Sequence, residues 1–179
     1  MLTLSKRSFS ICFCNQFINK IYILGIMAYV KVCLCQNKEI ELSCFGCCGN
    51  NFKSNEEIKK DLEKNTNEFA LSKSLIEFMN RGKELHESGV CKHLIINEED
   101  HNKIICPGHP KQNEGKEYRL GECNILHECR TSFEFKEWPK QKQARFIKFI
   151  KEKNMDSIEF SKKIDNGELL EEFNLKHEN

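Results

Sequence analysis

The chain has 179 residues, 39% of them hydrophobic and 31% charged, with only three prolines and a formal net charge of +1. That balance excludes a disordered chain, and the near-neutral charge excludes a global pull towards nucleic acid or an anionic membrane. Eleven of the residues counted as hydrophobic are cysteines, so the conventional apolar core is thin and metal binding is expected to supply part of the folding energy.

Lys6 and Arg7 precede a mildly apolar stretch that runs to Val30. Asn15, Gln16, Asn19 and Lys20 interrupt it, so it is too broken for a transmembrane helix, and no membrane contact is expected. Residues 1–26 read either as a weak signal-like segment or as an upstream extension before a start at Met27. In the second case Cys12 and Cys14 have no part in function. Residues 27–130 are expected to form a cysteine-rich domain. Within it, residues 28–50 alternate short β-prone runs (29–33 and 39–42) with cysteines.

Helix is expected over 54–80. Ser54-x-x-Glu57 is a capping-box pattern, and Ile58, Leu62, Phe69, Ile76 and Met79 recur at helical spacing. If the run divides, Asn65-Thr66-Asn67 is the expected break. Residues 91–96 and 103–106 read as the strands of a hairpin, with a polar turn at 97–102, which would bring Cys91 and Cys106 together. Residues 131–179 read as a helical extension packed on the same domain. Pro139 suits a first helical turn, 141–153 carries Phe146, Ile147 and Ile150 on one side, and Asp156-x-x-Glu159 repeats the capping-box pattern. Asn166-Gly167 marks a stop before a last helix with Leu169, Leu170 and Phe173. The expected fold is α+β, small and irregular: metal-organised cysteine loops and a short hairpin on several α-helices.

The thiols carry the chemistry. Eleven is odd, so a full disulfide framework would leave one over, and the adjacent Cys47 and Cys48 pair with each other only in a strained ring. Histidines lie near three of the thiols: His93 near Cys91, His109 near Cys106, and His127 near Cys129. That mixture points to a reduced, cytoplasmic, metal-loaded protein; a secreted, disulfide-stabilised protein is the alternative. Cys44-x2-Cys47 can direct two thiolates at one centre, and His109 stands at chelate spacing from Cys106 in a Pro-Gly loop. His93 shares a strand face with Cys91. The candidate metal ligands are Cys44, Cys47, Cys48, Cys91, Cys106, His109, Cys123 and Cys129, with Cys33, Cys35 and Glu41 as further possibilities. Such a set accepts zinc or an iron–sulfur cluster, in one site or two. Neither a nucleophile–base pair nor a phosphate-binding glycine loop stands out. Residues 136–153 hold seven basic residues against two acidic ones, which is either the solvated face of a helix or a patch for nucleic acid or another acidic partner.

Cys44-Phe45-Gly46-Cys47-Cys48-Gly49, then Gly89-Val90-Cys91-Lys92-His93-Leu94 and Cys106, resembles the YkgJ-type cysteine-cluster family. Its CxxCxxCC motif underlies its description as a zinc- or iron-chelating domain. The resemblance covers roughly residues 41–129. It implies that Cys44, Cys47 and Cys48 are the last three motif cysteines, that Cys91 precedes an apolar strand and that Cys106 ends one. The first motif position falls on Glu41, a departure. A carboxylate ligand, or Cys33 or Cys35, would have to replace that thiol. Some members of the family are described as lysine methylases, so the resemblance also implies an iron–sulfur-dependent enzyme as an alternative.

Overall fold

The computed structural model describes residues 21–23, 26–28, 34–37 and 39–177. Cys12, Cys14 and Cys33 lie outside the described residues. A short antiparallel pair, β1 (Ile21–Ile23) and β2 (Ile26–Ala28), is followed by a 3-10 turn at Leu34–Gln36 and another at Gly46–Cys48. Then come α1 (Asn55–Leu71), α2 (Leu75–Met79), the hairpin of β3 (Ile95–Asn97) and β4 (Lys103–Ile105), and four C-terminal helices: α3 (Arg130–Glu137), α4 (Lys140–Lys151), α5 (Ser157–Asp165) and α6 (Glu168–His177). The protein is small and α+β.

Helix α1 starts at the expected capping box. The Ser54 hydroxyl accepts from the Glu57 N–H at 3.3 Å, and the Glu57 carboxylate accepts from the Ser54 N–H at 3.1 Å, which satisfies two orphan donors of the first turn. The expected break at Asn65-Thr66-Asn67 does not occur. Asn65 is buried and donates to the Cys91 carbonyl at 3.2 Å, while its amide oxygen meets the His86 ring at 2.8 Å. Thr66 donates to the Leu62 carbonyl and accepts from the Ile96 N–H at 2.9 Å. These polar side chains thus serve tertiary partners and leave the helical backbone bonds intact. The helix ends instead at Ser72, and Ser74 caps the separate α2 by accepting from the Glu77 N–H. Ile76, expected on the buried stripe, is 59% exposed, because α2 buries Phe78 and Met79.

The hairpin forms in the register Ile95↔Ile105, Ile96↔Ile104. Its first strand is shorter than expected. Cys91 donates its N–H to the Cys48 carbonyl at 3.1 Å, and the chain turns before the ladder begins at Ile95. Residues 39–42 form no strand. Serine hydroxyls hold the chain that follows: Ser43 N–H donates to Ser157 Oγ at 3.2 Å, and Phe45 N–H donates to Ser161 Oγ at 3.0 Å. The Ser161 hydroxyl lies between the Ser157 and Ser43 carbonyls, at 2.6 and 3.3 Å. Next along, Gly46 lies so close to α5 that a Cβ there would stand 2.4 Å from the Asp165 Cβ. Only glycine permits that approach.

The C-terminal helices begin and end near the expected places. Pro139 precedes α4, Asp156 accepts from the Ile158 and Glu159 N–H groups at the start of α5, and Gly167 adopts φ +81 after it. Their aromatic core joins Phe135, Phe146, Phe160 and Phe173 with Leu34 and Ile40 from the cysteine-rich half. In return, Ile158 of α5 packs in a second core with Phe45, Ile58, Leu62, Val90 and Leu94. A third cluster, of Phe78, Met79 and Ile95, lies under α2 and β3.

Ser161→Ala leaves the buried Phe45 N–H without an acceptor and is expected to cost about 1–3 kcal/mol. Urea denaturation with and without the substitution measures that loss, and an unchanged midpoint would show that the serine contact does not hold the loop.

Candidate metal centre

Four separate segments bring thiols to one place. Cys47 and Cys48 come from the 3-10 turn against α5. Cys91 is held beside them by its N–H bond to the Cys48 carbonyl and by the Asn65 amide on its own carbonyl. Gly89, at φ +86, sits where a side chain would meet the Asn50 carbonyl at 2.1 Å, so the 49–51 and 88–90 backbones can pair closely. Cys106 follows β4 directly. Cys123 closes a turn through its N–H to the Arg119 carbonyl at 3.3 Å. These five thiols and His93 line a cavity of about 290 Å³ together with Met79, Lys83, Leu85, Arg119 and Glu122. None of the eight described cysteines forms a disulfide.

The cavity favours neutral thiols in the metal-free state. A hydrogen bond with Cys47, then burial, push the Cys48 thiol well above its ordinary value. Burial raises Cys91 and Cys123, and raises Cys106 from 9.0 to about 12. His93 is only 2% exposed, and burial, followed by the nearby Arg81 charge, pushes its pKa below the ordinary histidine value. Its Nδ1 stands 3.9 Å from Cys91 Sγ, and its buried Nε2 has no hydrogen bond of normal geometry, although the Met79 backbone also acts on the ring. A buried imidazole whose pKa is lowered is a chemically suitable metal donor. Two cations stand ready to offset thiolate charge. Arg119 is gripped by both Glu117 oxygens at 2.8 and 2.6 Å and acts on Cys106 and Cys123. Arg81 binds Glu68 and the Lys92 carbonyl and acts on Cys91.

The donor types therefore fit a soft metal centre. Their present spacing does not complete one: among the described residues, no group of three or more His, Cys, Asp and Glu side chains is arranged to hold a metal ion. Loading the cavity requires the thiols to lose protons and turn inward.

The other candidates lie elsewhere. Cys44 and Cys129 pack against the aromatic core of the C-terminal helices, and Cys129 is 8% exposed. The Cys35 carbonyl accepts from the Cys44 N–H at 3.0 Å. His109 does not line the cavity; its Nδ1 accepts from the Lys111 N–H at 3.1 Å, at the head of the 3-10 turn Pro110–Gln112. Glu41 lines a different cavity of about 470 Å³, with Asp100, His101, Lys103 and Lys111. In the basic stretch, Lys136 pairs with Glu128, Lys148 with Glu152 and Lys153 with Glu172, while Lys142 lies over the Trp138 ring. Phe146 is fully buried, and Trp138 packs on it and on Phe173 at 5.3 and 5.5 Å. Both rings serve the core. Sequence reasoning weighed His93 below His109 and missed Arg119, because what separates them is which side chain ends in the cavity.

No family model, curated protein or solved structure matches this chain. No helix among the described residues is long and apolar enough to cross a membrane.

The raised Cys106 value sets a sign. The folded chain holds this proton more tightly than the unfolded one, so the stabilisation is complete below the unfolded pKa of about 9 and is lost as pH rises towards about 12. Metal-free protein should therefore weaken progressively above about pH 9, and Cys106→Ser should flatten that dependence, as read from urea midpoints across the alkaline range.

Proposed function

We propose that this is a metal-binding cysteine-cluster protein whose centre lies in the cavity lined by the 47–50 turn, the end of α2 and the loops that carry Cys91, Cys106 and Cys123. The observation that carries the proposal is that five thiols and the buried imidazole of His93, from four chain segments, line one space of about 290 Å³. Cys47 or Cys48, with Cys91, Cys106 and Cys123, would supply four thiolates, and His93 would supply a fifth donor or a hydrogen bond to sulfur. Four thiolates suit an iron–sulfur cluster, and the same set would also hold one zinc ion. When bound, a cluster supplies one-electron redox capacity or a rigid cross-link between the loops. The chain's own residues hold the thiols, line part of the cavity with the apolar Met79 and Leu85, and would offset negative charge through Arg119 and Arg81. A reduced, cytoplasmic setting belongs to the same proposal, and the resemblance to the cysteine-cluster family agrees with it.

Anaerobic purification followed by absorbance, iron, zinc and acid-labile sulfide analysis tests the centre. Brown protein holding iron and sulfide is expected, and Cys106→Ser with Cys123→Ser should abolish both. Colourless protein with zinc lost in the same variant would replace the cluster by a single-ion centre. Protein holding neither metal would overturn the proposal.

A further inference from the structure

Cys48 and Cys91 stand opposite each other across a short antiparallel bridge. Gly49 and Val90 are its paired residues. On one side of them the Asn50 N–H donates to the Gly89 carbonyl, and on the other the Cys91 N–H donates to the Cys48 carbonyl, both at 3.1 Å. That register sets Cys48 directly against Cys91. Opposite residues of an antiparallel pair face the same side, and side chains alternate along each chain. Val90 is accordingly buried in the core, while Cys48 and Cys91 both line the cavity.

Opposite residues at such hydrogen-bonded positions have Cα atoms about 5.5 Å apart, inside the roughly 4.4–6.8 Å that a disulfide spans. Both backbones are held in this register. The Cys48 N–H donates to the Phe45 carbonyl at 2.7 Å, Asn65 of α1 donates to the Cys91 carbonyl at 3.2 Å, and Cys91 forms a further bridge with Leu85. A side chain at Gly49 would stand 2.3 Å from the Gly89 carbonyl, so the two segments lie in direct contact. The neighbouring Cys47 is a poorer mate for Cys48, because consecutive Cα atoms are only about 3.8 Å apart. Among the described residues, Cys106 and Cys123 have no cysteine opposite them in a backbone pair.

We infer that Cys48 and Cys91 are a redox pair, which a low-molecular-weight disulfide converts into a cross-strand disulfide bond. Two S–H bonds break and one S–S bond forms. The two electrons and two protons pass to the small disulfide, which leaves as two thiols by way of a mixed disulfide. The bond would withdraw Cys48 and Cys91 from the cavity's donors, so that only the reduced chain loads metal. That consequence rests on the cavity being the metal centre; the bond itself does not.

The test uses full-length metal-free protein under native conditions. Both thiols are half-buried, which slows exchange, so the protein is brought to equilibrium with oxidised glutathione. Remaining thiols are then alkylated and tryptic peptides mapped by mass spectrometry. Peptide 84–92, which contains Cys91, should be joined to peptide 39–53. The latter also holds Cys44 and Cys47, so fragmentation places the bond, and Cys47→Ser, at an exposed position, should retain it. Cys91 recovered alkylated, capped by glutathione or joined to any cysteine other than Cys48 would overturn the inference. Zinc ion is then offered to the linked protein and to the same protein after reduction. Uptake should be lost in the first and restored in the second, and undiminished uptake by the linked protein would overturn the switch. Failure of the cavity centre would show separately, as reduced protein that takes up no metal while the peptide map still reveals the bond.

Discussion

The cysteine-rich half carries little regular structure, and its order depends on how residues 43–46 lie along α5. A loop without a ladder must satisfy its backbone groups some other way. Here Ser157 and Ser161 supply partners from the helix surface, and Gly46 lets the backbone close against Asp165. The consequence reaches both ends of the motif. Cys44 turns to the aromatic core of the C-terminal helices, while Cys47 and Cys48 turn to the cavity. One short stretch thus feeds two chemically different places.

Helix α1 plays the matching part for the chain that carries Cys91 and β3. Asn65 holds the Cys91 carbonyl and the His86 ring, and Thr66 holds the Ile96 amide. Two rigid helices therefore set loops that would not be stable alone. The thiols tolerate burial because they remain protonated; a metal would exchange those protons for bonds to sulfur. The cations that would balance the thiolates, Arg119 and Arg81, are themselves anchored by Glu117 and Glu68.

What could be read in advance follows from the range of each interaction. The Ser54–Glu57 box and the Asp156 cap are settled within three residues, and both form. The hairpin sets the adjacent Ile95 and Ile96 opposite Ile105 and Ile104 across a short polar turn. The misplaced helix break, the absent strand at 39–42 and the exposed Ile76 share the opposite cause. Asn65 is occupied by a partner 26 residues away, and the Phe45 amide by one 116 residues away. Local propensity does not encode those partners.

The sequence by itself determined the thiol inventory, the turns that carry most of it and the helices that flank it, because caps, periodicity and glycine placement act over a few residues. Only the tertiary structure decided which thiols share a space. It assigned Cys47, Cys48, Cys91, Cys106 and Cys123 to the cavity, put Cys44 and Cys129 on the helical core, and directed His93 rather than His109 into the cavity. The physical reason is that the direction a side chain faces is set by what its backbone packs against, and here the decisive partners, α1 and α5, lie far away in the chain.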